Sequence, residues 1–256
     1  PAGLWPSEGS VCPELLPMVH HAGLRWLATD EGILARSFEL SNRPWYRHAD
    51  LYRPYRAGES GRDLTMVFRD RDISDAFGFV YHKTDPDSAA DDVLRRLRNI
   101  IHNAPQEHIL IPVILDGENP WEHYHDGGEH FLSRLYRAFT AHELDQDQAI
   151  QLTASTMSEG LAAVPPAQHL PLLHSGSWIN QDFKIWIGHH EDNQGWDLLG
   201  LTRTRLVEVA PTLTADHAEA AWQELYAAEG SDWFWWYGDD FDTDYKQEFD
   251  RLFRTH

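Results

Sequence analysis

The sequence predicts an α/β fold organised on parallel strands, and three observations carry that prediction. Ile109-Leu110-Ile111-Pro112-Val113-Ile114-Leu115 is short, branched and uncharged, as strands buried on both faces are, and such strands belong to parallel sheets. The run breaks directly into Asp116-Gly117-Glu118-Asn119-Pro120-Trp121-Glu122, which holds carboxylates, turn-formers and an aromatic. The same succession of strand, acidic loop and helix recurs four times along the chain, the mark of a parallel α/β architecture.

Taken in order, Gly3-Leu4-Trp5-Pro6-Ser7-Glu8-Gly9-Ser10-Val11 reads as a strand end breaking into a turn, with Pro and Gly on either side of one carboxylate. Residues 13 to 21 read as a helix despite Pro17. Leu24-Arg25-Trp26-Leu27-Ala28-Thr29 is a second buried strand, ending on Asp30-Glu31-Gly32. Residues 36 to 63 carry Trp45, Tyr46, Tyr52 and Tyr55 among Arg and Pro without a helical period, and read as a long surface excursion. Leu64-Thr65-Met66-Val67-Phe68 is a third strand, ending on Arg69-Asp70. Ala89 to Ile101 places Val93, Leu94, Leu97, Ile100 and Ile101 on one helical stripe, with Asp85 supplying a capped, acidic start. After the strand that ends at Asp116, residues 127 to 142 form a helix with Phe131, Leu132, Leu135 and Phe139 inward.

From about Thr153 the texture changes, so the expected organisation is a partial α/β domain over 1–152 and a mainly helical region over 153–256. Residues 161 to 166 read as a loop, and residues 175 to 188 mix aromatics with small polar groups. Helices are expected near 190–205, 214–229 and 242–254. Between the last two, Trp233-Phe234-Trp235-Trp236 stands among Gly and Asp and makes no tidy helix face.

Composition excludes several classes. A net charge of -20, from 41 acidic against 21 basic residues, repels phosphate backbones and argues against a nucleic-acid partner. No apolar run is long enough to cross a bilayer, so a soluble, cytoplasmic protein is expected. Cys12 stands alone and excludes an internal disulfide framework. The chain opens Pro1-Ala2-Gly3 with neither an initiator Met nor a signal-peptide pattern, which is expected of a piece of something longer. Eleven Trp beside many carboxylates suit a sugar site, because pyranose faces are apolar while their hydroxyls want hydrogen bonds.

In a parallel sheet the strand ends that gather sites all lie on one side. Glu8, Asp30, Glu31, Asp70, Asp116 and Glu118 should therefore face a common region, where a pair of carboxyl groups can act on a glycosidic bond. Each acid also has a plain structural reading: Glu118 and Glu122 can cap the next helix, and Asp30 can close a turn. Sixteen His raise the alternative of a metal-dependent carbohydrate hydrolase, deacetylase- or α-mannosidase-like, with His123, His125 and His130 near Asp116, and His189 and His190 later. Their spacing is poor for zinc, and nothing matches His-Glu-x-x-His.

Trp5-Pro6-Ser7-Glu8, Asp116-Gly117-Glu118-Asn119 and Asp232-Trp233-Phe234-Trp235-Trp236-Tyr237-Gly238 resemble the third, fourth and fifth conserved regions of glycoside hydrolase family 57. That family holds α-glucan-active amylases, amylopullulanases, branching enzymes and 4-α-glucanotransferases. Trp26-Leu27-Ala28-Thr29-Asp30-Glu31 falls between the first two motifs as in the amylopullulanase-like branch. The resemblance implies part of a (β/α)7 barrel followed by a helical C-terminal region. It implies a retaining reaction with Glu8 as nucleophile and Asp116 as general acid/base, Asp116 being kept protonated by neighbouring acids. Trp121, Trp178, Trp233 and Trp236 would be sugar platforms and Asp232 a hydroxyl ligand, with Trp5, Asp30, Glu31 and Glu118 also at the substrate. No cofactor and no metal are implied. The family's first two regions, with a His-Gln-Pro motif and a Glu-bearing strand, have no counterpart, so the barrel is expected to need a further N-terminal segment from the same or another polypeptide. Without it, a non-catalytic carbohydrate-binding piece is the remaining alternative.

Overall fold

The computed structural model describes residues 1–59, 61–117, 119–141 and 152–256. They fall into two units, Pro1–Gln181 and Asp182–His256. The first is organised by five strands: β1 (Gly3–Leu4), β2 (Trp26–Asp30), β3 (Tyr55–Ala57), β4 (Leu64–Arg69) and β5 (Gln168–His169). Their order in the sheet is β1-β2-β4-β3-β5. β1, β2 and β4 run parallel, with Gly3 opposite Trp26, Trp26 opposite Thr65 and Asp30 opposite Arg69. β3 is antiparallel to β4 and covers only its first half, up to Met66. Residues 168–181, expected in the C-terminal region, pack within the first unit, where β5 pairs with β3.

Helices return the chain between these strands. α1 (Leu15–His21) joins β1 to β2, and α2 (Glu31–Leu40) starts where β2 stops, because the Asp30 side chain accepts the Gly32 amide hydrogen at 2.9 Å and ends the strand as a cap. The stretch 36–63 is not the irregular excursion its sequence predicted. It contains the end of α2, then α3 (Arg47–Asp50), then β3. These elements are too short to show a period, and local bonds hold them: the Asp50 carboxylate accepts from the Tyr46 amide at 2.9 Å, and Tyr55 Oη donates to the Asp50 carbonyl at 2.7 Å. α4 (Arg71–Asp75) follows β4, capped by Asp70, and runs on into a π-helical turn over Ala76–Val80. α5 (Pro86–Asn103) has the predicted Asp85 cap and buries Val93, Leu94, Leu97 and Ile100. α6 (Asn119–Glu122), α7 (Glu129–Thr140) and α8 (Met157–Ala163) follow among the described residues. α7 buries Phe131 and Leu135 as expected, while α8 takes in residues 161–163 of the expected loop through a Thr156/Glu159 capping box.

The predicted strand 109–115 is a correction with a consequence for the site. It lies beside β4 in extended contact but pairs as no regular strand. Pro112 has no amide hydrogen to give a ladder, and side chains take over: the Ile114 amide donates to Ser74 Oγ at 3.1 Å and Arg69 Nε donates to the Ile114 carbonyl at 2.9 Å. The Asp70 amide donates to the Pro112 carbonyl at 3.0 Å. Nor is the run buried on both faces, since Val113 is exposed. This segment passes the end of β4, held there by the Asp70 amide and the Arg69 side chain, and Asp116 follows two residues after Ile114.

The second unit is helical: α9 (His190–Val209), α10 (Ala215–Ala228), α11 (Ser231–Trp235) and α12 (Lys246–Phe253). The aromatic run does form a short helix, because its rings pack inward on several sides. Phe234 is fully buried and stacks on Trp196 at 3.9 Å between centroids, with Tyr237 and Phe253 edge-on. Gly238, at φ +72, closes the run: a Cβ there would lie 2.2 Å from His189 Nδ1, so only glycine lets the turn approach α9. No helix among the described residues is long and apolar enough to cross a membrane.

Asp192, in the first turn of α9, is fully buried, and among the described residues neither carboxylate oxygen has a hydrogen-bond partner. Desolvation pushes its pKa up to about 6, opposed by His189 and aided by Asp240 and Glu191. Between the ordinary carboxylate range and about pH 6 the folded state therefore holds a proton that the unfolded chain has lost. Stability contributed at Asp192 is present at low pH and falls as pH rises through that window. Thermal melts from pH 4 to 7 are expected to show this decline for the natural protein and a flatter profile for Asp192→Asn; identical slopes would contradict it.

Candidate active site

The site is built from the loops that leave the parallel strands. After β1 the chain makes a 3-10 turn over Ser7–Gly9, and Glu8 takes a left-handed backbone conformation, φ +55 and ψ 21. A non-glycine residue there stores on the order of 1 kcal/mol or more, and such strain persists only where surrounding contacts enforce it. Those contacts are visible. Thr29 Oγ1 donates to the Gly9 carbonyl at 2.6 Å, and the Trp178 amide donates to the Glu8 carbonyl at 3.0 Å. Val11 and Gly176 exchange two backbone bonds at 2.9 and 3.0 Å. Gly9 is also left-handed, and a Cβ on it would meet the Trp5 ring at 2.8 Å. The turn is thus pinned by β2 on one side and by residues 176–178 on the other, which aims the Glu8 side chain. Its Oε2 accepts a hydrogen bond from Trp178 Nε1 at 2.9 Å.

Behind this turn lies a network of buried charge. Asp30 and Asp70, at the ends of β2 and β4, are both 0% exposed. Asp30 is paired with Arg71 and, at 3.5 Å, with Arg69. Asp70 accepts from Arg47 at 2.8 Å, Tyr52 Oη at 2.8 Å and the Ile73 amide at 3.1 Å. Glu31 holds Arg47 at 3.0 Å and accepts from the Arg71 amide at 3.2 Å. Burial pushes the Glu31 carboxyl above its ordinary range, with Arg47 opposing that shift. Burial alone would lower Arg47, yet its partners Glu31 and Asp70 hold it more firmly protonated than usual.

Arg69 is the hub. It is 3% exposed, and each of its three guanidinium nitrogens has a partner: Nε on the Ile114 carbonyl, Nη1 on Asp30 and Nη2 on Asp75 at 2.5 Å. Its guanidinium carbon also sits 5.1 Å from the centre of the Trp178 ring. A continuous path therefore runs from Glu8 through Trp178 and Arg69 to Ile114, two residues before Asp116. Asp116 itself is half-buried.

The sequence profile of glycosyl hydrolase family 57 matches residues 1–172. The chain belongs to that family. No curated protein sequence matches it. Its fold is that of several solved family 57 structures, and the sheet with its flanking helices is part of a (β/α)7 barrel. The α-amylase AmyC from Thermotoga maritima superposes with a TM-score of 0.66 at 14% identity, over 100% of this chain and 58% of that one. The branching enzyme from Thermococcus kodakaraensis, solved with glucose, gives 0.62 at 17% identity over 92% of this chain and 50% of that one. The 4-α-glucanotransferase from Thermococcus litoralis gives 0.58 at 15% identity over 91% and 38%. The chain thus spans about four- to six-tenths of the length of these relatives.

The predicted site residues divide into groups. Glu8, Trp5 and Trp178 come together, with the two indoles edge to face at 5.6 Å. Asp30 lies behind them without exposure, as the cap of α2 and a partner of arginines, and Glu31 is tied to Arg47. Trp121 packs on Tyr124 and over Gly128, against the first unit's core. Glu118 lies outside the described residues. Asp232, Trp233 and Trp236 belong to the second unit. There Asp232 is exposed, Trp233 packs on Phe249 and Phe253 while Nε1 donates to the Ala227 carbonyl at 2.9 Å, and Trp236 packs on Phe249. Sequence reasoning missed Arg47, Arg71 and Tyr52. For Arg47 and Tyr52 the signal was the density of Arg and Tyr in residues 43–56 of the supposed excursion, and for Arg71 its place directly after the strand end at Asp70. Among the described residues no three His, Cys, Asp or Glu side chains come together as metal ligands; His82 and His123 approach as rings 5.4 Å apart.

Proposed function

We propose that the protein is a retaining glycosidase or transglycosylase acting on α-glucans, with Glu8 as nucleophile and Asp116 as general acid/base. The observation that supports this is the strained, pinned Glu8 turn, linked through Trp178 and Arg69 to the segment that carries Asp116, in a chain of family 57. Strain kept at one carboxylate-bearing turn is what a site needing a fixed nucleophile would retain. In the first step a Glu8 oxygen bonds to the anomeric carbon as the glycosidic C–O bond breaks, and Asp116 gives its proton to the leaving oxygen. In the second, water or an acceptor hydroxyl attacks that carbon, the ester bond breaks, and Asp116 takes the proton back. Trp5, half-buried against the turn, would supply an apolar ring to a pyranose. Asp30 and Glu31 would act from behind, holding the arginines that shape the floor.

The test uses the whole protein with maltooligosaccharides and pullulan, following products by proton NMR. Release or transfer of sugars with the α-anomer first formed is expected. Glucan binding without turnover would instead favour a carbohydrate-binding role, and turnover that a chelator abolishes would favour a metal hydrolase.

A further inference from the structure

Trp178 has a position that a sugar platform would not need. Its Nε1–H points at Glu8 Oε2 rather than at open space. One face of its ring is covered by the Arg69 guanidinium, and the Trp5 ring meets it at 76°. Its backbone amide holds the Glu8 carbonyl, so the same residue grips the main chain and the side chain of the proposed nucleophile. Arg69 cannot drift from the ring, because its fork is fixed in three directions. A cation over the ring draws on the indole's π electrons and makes the N–H a stronger donor.

From these contacts we propose that Trp178, backed by Arg69, is a positioning residue for Glu8: it fixes the attacking carboxylate and ties it to the segment that carries Asp116. The inference rests on the proposed function. A directed bond to Oε2 restricts rotation of the carboxylate and so fixes its orientation toward the anomeric carbon. Arg69 adds the second constraint. Its bond to the Ile114 carbonyl anchors the chain two residues before Asp116, so both acids are tethered through Arg69. A hydrogen bond to a charged group can carry a factor of about 10 to 100 when it matters to the transition state.

The test compares Trp178→Phe with the natural whole protein, reading the rate at which 5-fluoro-α-glucosyl fluoride forms a covalent ester, together with kcat and KM. Phe keeps an aromatic ring beside Arg69 and Trp5 and removes the donor together with the five-membered ring that bears it. Ester formation and kcat are expected to fall at least about tenfold, with KM moving less than about threefold. In a Glu8→Gly background rescued by azide there is no carboxylate to hold, so adding Trp178→Phe is expected to leave the rescued rate unchanged. Arg69→Lys, which keeps the charge and loses the fork, gives a second reading of the same ester-forming rate and is expected to slow it likewise. Folded Trp178→Phe with an unaltered rate, or an equal loss in the azide-rescued reaction, overturns the proposal. Full activity in Glu8→Gln would instead overturn the functional reading beneath it.

Discussion

Glu8→Gln is expected to lower glycosyl transfer by about a thousandfold or more, because an amide oxygen is a far weaker nucleophile than a carboxylate. The substitution is close to isosteric. The amide oxygen can still accept from Trp178, the left-handed backbone suits Gln no worse than Glu, and Thr29 and Gly176 still pin the turn. The variant should therefore melt within about 1 kcal/mol of the natural protein, separating a chemical from a structural effect. Activity above a tenth of the natural level, with a normal melting curve, would remove Glu8 from the mechanism and with it the double displacement.

Asp70→Ala should be the most destabilising single change in the first unit, at about 3–5 kcal/mol by denaturant titration. Asp70 is wholly buried and compensates Arg47, receives the Tyr52 hydroxyl and caps α4 through the Ile73 amide. Its removal leaves a guanidinium short of one anion and a buried hydroxyl without its acceptor. Arg47 keeps Glu31 and Asp72, at 3.0 and 3.3 Å, which sets a ceiling on the loss. Asp72→Ala, on an exposed side chain, should move stability by less than about 1 kcal/mol. Similar losses at both positions would mean that burial does not rank these acids.

How much was legible in the sequence depended on how many neighbours along the chain each feature needed. The helix at Asp85 could be read because its cap, first turn and apolar stripe lie within a few residues. The strand ends at Asp30 and Asp70 could be read for the same reason. The path of residues 110–115 could not, since its bonds go to Ser74, Arg69, Tyr52 and Asp70 rather than to a regular ladder. A three-residue strand such as β3 has no period to show. Trp178 could be singled out as an aromatic among small polar residues, but its role depends on Glu8, 170 positions earlier.

By itself the sequence determined the parallel α/β class, the acids at the strand ends and the resemblance to an α-glucan-active family, because each is written in local spacing and short motifs. Only the tertiary structure decided which acids are paired with buried cations and which sits on a strained turn. Asp30 and Asp70 are consumed by Arg47, Arg69 and Arg71, while Glu8 is held out on a strained turn by a distant indole. The reason is electrostatic. A carboxylate's role is set by the cations and donors within a few ångströms of it, and folding, not chain order, chooses those neighbours.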